Sequence, residues 1–379
     1  MSSSSSSTSS SKPVIIDYND IRQSTNNNEN DNILLQKIDE AFGPDGTGII
    51  GIRNVPEFFE TKNNLLRLAQ PLVNLDNLES LEDPKSMYNA GWSHGKEIIK
   101  PGQPDLAKGS FYFNPLVDQP GTEEERTRFP MSYPQNVWPT SQLPELEPAA
   151  KALGSLLTKV SIQLCPHIDR YVQTKNANYQ PQTLYNHLKN TDKVKGRLLY
   201  YYPLVEESSS TSAIKNDDSW CGWHNDSGFL TALAGDMLWN VQEQKNSNNN
   251  IDQAGLYVVN RQNEVCKVDL PKDCMAVQIG ECAQILSGGA VVATPHCVKG
   301  VSGGMARSSF ACFIDTPPSV RLLATPSSSS GGNTDEVLQL SSSSSLVPPL
   351  SARWTNGMTF GDFLTKTFQM YYEWKDDTK

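Results

Sequence analysis

The chain has 379 residues, 37% of them hydrophobic, which is enough to bury at least one sizeable core. Its formal net charge of -10 comes without any cluster of Lys and Arg, so neither nucleic acid nor an anionic membrane is expected as a partner. No apolar run approaches the roughly 20 residues that a transmembrane helix needs.

The cysteines and the N-terminal composition are used to predict the cellular compartment of the protein. The seven cysteines are scattered without a C-x-x-C pair, which is typical of reduced thiols in an intracellular protein. The N-terminal stretch MSSSSSSTSSSK has neither the apolar segment of a secretory signal nor an Arg-rich transit pattern. We therefore expect a cytoplasmic protein, and a monomer.

Three polar segments of low complexity interrupt the chain: a Ser-rich stretch at 1–12, the run NSNNN at 246–250 and a Ser-rich stretch at 325–348. Such sequences bury too little apolar surface to offset the entropy lost on ordering. They are predicted to be a disordered tail, a surface loop and a disordered insertion.

The N-terminal region, residues 13–130, carries one clear strand signal. GTGIIGIRNVP at 46–56 is a short β-branched run bounded by Gly and Pro, which predicts a buried strand. Residues 131–195 are predicted to be helical and to lead into the core. Apolar residues recur there every three or four positions over 146–171, and Pro166 is expected to interrupt the end of this helix.

From 196 to 318 the sequence changes to short strand-like runs separated by turn residues. These runs are RLLYYYP, GWHNDSGFLTAL, AGLYVV, CKVDLP, CMAVQIG, CAQILSGGAVVATPHCV and RSSFACFID. Many short strands at close spacing favour a sandwich over a parallel sheet with crossover helices. The predicted fold is mainly β with flanking helices around a jelly-roll core, a double-stranded β-helix.

An amphipathic helix is predicted to close the chain over 358–374. Thr359 and Asp362 have the spacing of a capping box at its start. Its apolar face is formed by Phe360, Phe363, Leu364 and Tyr371.

The stretch WCGWHNDSGFLTAL contains the first candidate for chemistry. Side chains two positions apart on a strand share a face, so His224 and Asp226 would project together. The chain has 5 His and 42 acidic residues, and an H-x-D or H-x-E pair arises by chance about as often as not. The pair alone therefore fits a satisfied polar pair at a strand end as well as a metal site.

A second histidine, His296 in ATPHCVKG, lies on a later strand-like run of the same sandwich. Two histidines and one carboxylate with open coordination positions are the facial triad of non-haem Fe(II) oxygenases. A zinc ion accepts the same ligand types, but no glutamate is placed as a hydrolytic base. The candidate catalytic and metal-binding residues are His224, Asp226 and His296.

The run ARSSFACFID supplies a candidate anion clamp. Arg307 and Ser309 share one face of a strand, and the planar fork of Arg with an added hydroxyl fits a carboxylate. A surface arginine lying over a turn is the other interpretation of this segment by itself.

These motifs together resemble the Fe(II)/2-oxoglutarate-dependent dioxygenases, in the branch that includes isopenicillin N synthase and plant flavonoid and gibberellin oxygenases. Phrases such as GWSHGKE and KGSFYFNP are similar to a plant and algal subgroup. The resemblance implies that His224, Asp226 and His296 bind Fe(II), and that Arg307 and Ser309 bind the distal carboxylate of 2-oxoglutarate. It aligns Tyr202 of YYYP with the co-substrate tyrosine, while Tyr200 replaces the usual asparagine.

The resemblance implies an enzyme that uses Fe(II), O2 and 2-oxoglutarate to oxidise a small-molecule metabolite, with release of succinate and CO2. Hydroxylation is the expected outcome, and desaturation or ring closure are open on the same scaffold. One alternative is an oxidase of the isopenicillin N synthase type, which uses the triad without 2-oxoglutarate and binds the substrate's own carboxylate with the R-x-S pair. A non-catalytic jelly-roll binding protein is the other.

Overall fold

The computed structural model describes residues 9–11, 13–22, 29–96, 98–100, 103–203, 220–240, 253–300, 305–326 and 346–377. The strands are β1 (Ser9–Ser11), β2 (Val14–Asp17), β3 (Ile49–Arg53), β4 (Gly91–His94), β5 (Ile98–Lys100), β6 (Gln103–Pro104), β7 (Lys108–Phe113), β8 (Val194–Tyr201), β9 (Cys221–His224), β10 (Leu230–Asn240), β11 (Gly255–Val259), β12 (Val265–Val268), β13 (Met275–Ile279), β14 (His296–Lys299) and β15 (Met305–Ile314).

The helices are α1 (Tyr18–Arg22), α2 (Glu29–Phe42), α3 (Phe58–Leu66), α4 (Ala69–Val73), α5 (Glu123–Arg128), α6 (Leu146–Lys175), α7 (Thr183–Leu188), α8 (Glu281–Ser287), α9 (Leu350–Arg353) and α10 (Phe360–Asp377). Two 3-10 turns lie at Leu78–Leu81 and Pro84–Ser86. Among the residues described, no helix has the length and hydropathy to cross a membrane.

Two sheets face each other and form the core of the fold. The large sheet has eight strands in the order β2-β3-β13-β10-β15-β8-β7-β4, and the small sheet has five in the order β1-β12-β11-β14-β9. Neighbouring strands are antiparallel apart from β2 with β3 and β1 with β12. The predicted β-rich jelly roll with flanking helices is confirmed.

Strand alternation separates the two faces of the large sheet. On β15, Ala306, Phe310 and Cys312 belong to the main core with the helices, and Phe310 stacks on Phe113 at 5.7 Å. The alternate residues of β8, Leu199 and Tyr201, pack across the sandwich against residues of the small sheet. The face that carries Arg307, Ser309 and Tyr201 is therefore the inner face.

Several predicted elements are confirmed with shifted bounds. The predicted strand at 46–56 is β3, and all of its residues except Arg53 are buried. The predicted C-terminal helix is α10, and the backbone N–H of Asp362 donates to Thr359 Oγ1 at its start. Phe360 and Phe363 are fully buried, as predicted. The side chain of Tyr371 lies outside the described part of the chain, as do residues 246–250 and 327–345.

The Ser-rich tail departs from the prediction over three residues. Ser9–Ser11 pair in parallel with Cys266–Val268, whereas 1–8 and 12 lie outside the described residues. Strand β12 otherwise ends the small sheet, and its edge presents backbone N–H and C=O groups. Pairing with these groups requires no apolar side chain, so composition did not indicate it.

Two further predictions were wrong. The run CAQIL, expected to be strand-like, lies in α8, whose residues are all buried. A short, wholly buried apolar run shows no amphipathic period, so helix and strand could not be distinguished from the sequence. Pro166 does not end the long helix, because α6 continues to Lys175. Burial of Ile168, Tyr171 and Val172 after the proline stabilises that continuation.

Replacement of Pro166 tests this explanation. The Pro166→Ala variant restores an N–H donor inside α6, and a helix-interior proline costs about 3 kcal/mol relative to alanine. We expect the free energy of unfolding, measured by urea denaturation, to rise by about 1–3 kcal/mol. The control Lys159→Ala, at an exposed site on the same helix, should change it by less than about 0.5 kcal/mol. A destabilised Pro166→Ala protein would show that packing requires the proline.

Candidate active site

Two histidines and an aspartate converge where the small sheet opens. His224 ends β9, His296 begins β14, and the two residues are partners in the antiparallel register. Their ring centroids are 4.3 Å apart, and His296 Nε2 lies 3.9 Å from Asp226 Oδ1. One ligand atom from each of the three side chains lies within 4.8 Å of the others. The structure thus brings together all three residues predicted as metal ligands.

A β-bulge in β9 orients the first histidine. Val298 pairs with Cys221 and His296 pairs with His224. The two pairs are therefore three residues apart on β9 and two residues apart on β14. The extra residue reverses the alternation, and Cys221 and His224 consequently lie on the same face. After His224 the strand ends, and Asp226 lies in the turn before β10. The stretch predicted as one strand-like run is therefore two strands joined by a ligand-bearing turn.

Backbone carbonyls select the nitrogen that each imidazole presents. His224 Nδ1 lies 2.7 Å from the Gly222 carbonyl, and His296 Nδ1 lies 3.1 Å from the Thr294 carbonyl. An Nδ1–H that donates to a carbonyl leaves Nε2 with its lone pair, which is the arrangement of a metal-ligating histidine. Asp226 Oδ2 is buried and has no hydrogen-bond partner among the described residues. A buried carboxylate oxygen without a donor fits a bound cation.

The electrostatics of this corner also favour positive charge. Burial by itself would lower the pKa of the His224 imidazole, but the neighbouring Cys221 thiol and Asp226 carboxylate raise it. Burial and the charge of His224 lower the pKa of His296. Acidic groups beside His224 thus favour positive charge at this corner, and a divalent cation bound by neutral imidazoles would satisfy the same groups.

Arg307 lies on the inner face of the large sheet with the predicted Ser309. Its Nη1 is 3.5 Å from Ser309 Oγ, and its guanidinium lies 4.8 Å from the centre of the Tyr201 ring. Asp236 contacts the other edge of this guanidinium, where Arg307 Nε donates to Asp236 Oδ2 at 2.9 Å. Arg307 and Ser309 are both buried, so the guanidinium is held at a defined position in the interior.

A second bulge brings Asp236 to Arg307. The register of β10 with β15 shifts between Leu233 and Asp236, and Gly235 there adopts a positive φ of 79°. The extra residue turns Asp236 onto the face of Ser309, its partner in the register. The sequence did not identify Asp236, although a glycine inside a strand signals a bulge.

The predicted Tyr202 does not lie beside Arg307. Tyr201 is the register partner of Arg307, so these two share the inner face. Tyr202 follows one position later, and its ring packs on Tyr200 at 5.2 Å and on His94 at 5.1 Å. Three consecutive tyrosines cannot be distinguished by pattern, and only the strand register decides which one faces inward.

Comparison with known proteins bears on the same residues. Residues 195–316, which include all of the site residues above, match the 2OG-Fe(II) oxygenase superfamily. The chain carries a 2OG-Fe(II) oxygenase domain. The prediction of an enzyme that uses Fe(II), 2-oxoglutarate and O2 is thereby confirmed. No curated protein sequence matches the chain.

Solved structures support the oxygenase fold over nearly the whole chain. A full-length Neurospora crassa protein in complex with alpha-KG and 5-formyluracil is 15% identical, has a TM-score of 0.64 and covers 95% of each chain. A 2OG-Fe(II) oxygenase family protein from Caulobacter crescentus is 16% identical, with a TM-score of 0.65 and coverage of 94% of this chain and 98% of its own. The rice dioxygenase for auxin oxidation is 14% identical, with a TM-score of 0.57 and coverage of 94% and 95%.

A fully buried ion pair supports the turn after β9, which carries Asn225 and Asp226 and is called the ligand loop below. Arg353 Nη1 lies 2.7 Å from Glu281 Oε2, and Nη2 lies 2.5 Å from Oε1. The same Oε1 accepts from Asn225 Nδ2 at 3.0 Å, and the Glu281 backbone N–H donates to the Asp226 carbonyl at 2.8 Å. Neither Arg353 nor Glu281 was predicted, because their sequence positions give no sign of the pairing. Asn225, which lies between the two ligands of the loop, points toward this pair.

Removal of one partner should destabilise the oxygenase strongly. In Arg353→Met the Glu281 carboxylate stays buried without its counter-charge, which costs about 3–5 kcal/mol. Urea denaturation would measure the loss. The control Lys151→Met removes the half-buried pairs with Asp118 and Glu147 and should cost less than about 1 kcal/mol. Equal small effects in both variants would show that the buried pair does not stabilise the fold.

Proposed function

We propose that this oxygenase binds Fe(II) through His224, Asp226 and His296, binds 2-oxoglutarate through Arg307, Ser309 and Tyr201, and hydroxylates a small-molecule metabolite. The observation that carries the proposal is the convergence of one nitrogen from each of two imidazoles with the carboxylate of Asp226, whose buried Oδ2 has no donor among the described residues. Two imidazoles and one carboxylate are the donor set of non-haem Fe(II) oxygenases and leave open positions for a bidentate ligand and O2.

Backbone hydrogen bonds hold the proposed metal-binding residues in position. The carbonyls of Gly222 and Thr294 orient both imidazoles, and Glu281 holds the backbone of Asp226. Such supporting contacts keep ligands in place and raise their basicity. Bound Fe(II) would supply the activation of O2 that is coupled to decarboxylation of 2-oxoglutarate to succinate and CO2.

The co-substrate residues form a buried carboxylate clamp. Asp236 takes the Nε edge of Arg307, and the hydroxyl of Ser309 stands beside Nη1. An arginine fork with a neighbouring hydroxyl offers three donors to one carboxylate, and burial of the pair strengthens each bond. Tyr201 lies against the guanidinium, and we propose that it takes the role that the family resemblance implies for Tyr202.

Known structures with the same fold hold small molecules, which supports a small-molecule substrate. The Neurospora crassa protein has been solved with thymine and with 5-formyluracil, and JOX2 has been solved with 2OG, Fe and JA. Release of one succinate per hydroxylated substrate is expected, and substrate oxidation without succinate would contradict the proposal.

The metal ligands are tested by Asp226→Ala. Loss of one of three ligands should abolish retention of Fe(II) or Mn(II), measured by anaerobic titration calorimetry and metal analysis of the purified protein. The control Asp76→Ala removes an exposed carboxylate and should bind one metal per chain like the parent. If Asp226→Ala retained one iron and consumed 2-oxoglutarate at the parental rate, the ligand assignment would be wrong.

The neighbouring tyrosines provide a matched pair for the co-substrate site. Tyr201→Phe should raise the KM for 2-oxoglutarate by about threefold to tenfold with little change in kcat, because a hydroxyl beside the clamp contributes about 1 kcal/mol. Tyr202→Phe, one position along the chain, should leave this KM unchanged. Succinate release at varied 2-oxoglutarate concentrations measures both. If Tyr202→Phe raised the KM for 2-oxoglutarate and Tyr201→Phe did not, Tyr202 would be the co-substrate tyrosine.

A further inference from the structure

A second arginine–serine pair lies on the inner face of the large sheet. Arg197 of β8 donates from Nε to Ser110 Oγ of β7 at 3.0 Å. The arrangement repeats that of Arg307 with Ser309 on β15. Arg197 is the register partner of Ala311, which is the next inward residue after Ser309, so both pairs point to the same side of the sheet.

The surroundings of the second pair are polar and basic. The guanidinium of Arg197 lies 5.0 Å from the centre of the Tyr112 ring, and Lys195 Nζ lies 5.5 Å from the same ring. Ser110 and Ser93, register partners on β7 and β4, are both buried. Other parts of the inner face carry apolar clusters and the Arg307–Ser309 pair. Arg197 and Lys195 are both half-buried, and two cations beside buried hydroxyls make this basic region attractive to an anion.

This basic region lies beside the metal centre. Leu199, the inward residue next to Arg197, packs in one cluster with Cys221 and Val298. Cys221 precedes His224 on β9, and Val298 follows His296 on β14.

We propose that Arg197 and Ser110 bind a carboxylate of the substrate and thereby direct the rest of that molecule to the metal centre. The substrate class is then a small organic acid. Arginine offers two parallel N–H groups to the two oxygens of a carboxylate, and Ser110, which accepts the Nε–H, has its hydroxyl hydrogen to donate. The aromatic face of Tyr112 sets the plane of the guanidinium. This inference rests on the proposed function, because it assigns a substrate to that site.

Binding of matched acids and amides tests the inference independently of turnover. Aliphatic and aromatic carboxylic acids, each paired with its own primary amide, are added to the full chain under anaerobic conditions with Mn(II) and saturating 2-oxoglutarate. Thermal shift selects the strongest binding acid, and calorimetry measures its Kd. We expect the acid to bind and its amide to bind at least about tenfold more weakly, because a charge-assisted bond is lost.

Three variants separate the two arginine–serine pairs. Arg197→Met should weaken acid binding about tenfold or more while leaving the affinity for 2-oxoglutarate at the parental value, which also shows that the variant is folded. Arg197→Lys retains the positive charge but not the planar guanidinium, so its affinity for the acid should lie between those of the parent and Arg197→Met. Arg307→Met should lose 2-oxoglutarate affinity and, in Mn(II) protein without 2-oxoglutarate, bind the acid like the parent.

The outcomes distinguish the two proposals. If no acid binds more tightly than its amide, or if Arg197→Met binds the acid like the parent, the substrate class is wrong and the iron and 2-oxoglutarate sites are unaffected. If Arg307→Met keeps full affinity for 2-oxoglutarate, the proposed co-substrate site is wrong instead. Should Arg197→Met not fold, Arg197→Lys and Ser110→Ala decide, and unchanged acid affinity in both overturns the inference.

Discussion

The ligand loop of this oxygenase depends on one buried ion pair, Arg353 with Glu281. Neither side chain has any exposed surface, and moving a charge out of water costs several kcal/mol unless its partner and the remaining hydrogen bonds are in place. The remaining donors of Arg353 reach the Pro348 carbonyl and Thr367 Oγ1. The pair is therefore stable only when α8, α9 and α10 are assembled together around the turn that carries Asp226.

This requirement links chain segments that are far apart in sequence to the metal centre. Glu281 contacts the ligand turn twice, through its carboxylate to Asn225 and through its backbone to Asp226. The C-terminal helices thus stabilise the position of Asp226, a proposed metal ligand, through Glu281. The helices beyond the domain match fix the geometry of the site, while the strands and the turn after β9 carry its side chains.

The sheets impose a second constraint, which is the alternation of side chains along each strand. An extra residue in β9 places His224 on the face of Cys221, and an extra residue in β10 places Asp236 on the face of Ser309. Without each bulge the same side chain would point to the opposite face. The large sheet then carries two arginine–serine pairs side by side, one proposed for the co-substrate and one for the substrate.

The sequence grouped side chains that the structure brings together where the signal was local. Arg307 and Ser309 are two positions apart on one strand and share a face, whereas His224 and Asp226 meet across the turn that follows β9. The sequence did not indicate arrangements that a neighbour in space decides. The choice of Tyr201 over Tyr202 depended on register with β15, and the helical state of α8 depended on burial from all sides.

The sequence by itself determined the class of chemistry, because ligand types and short spacings are local properties of the chain. The motifs predicted two histidines, a carboxylate and an arginine clamp on a β-rich core, and the match to the 2OG-Fe(II) oxygenase superfamily spans the segment that contains them. Only the tertiary structure decided which tyrosine faces Arg307, which acid holds its Nε edge, and which buried pair supports Asp226. These contacts depend on strand register and on buried charges from distant segments, and neither produces a recognisable pattern in the sequence.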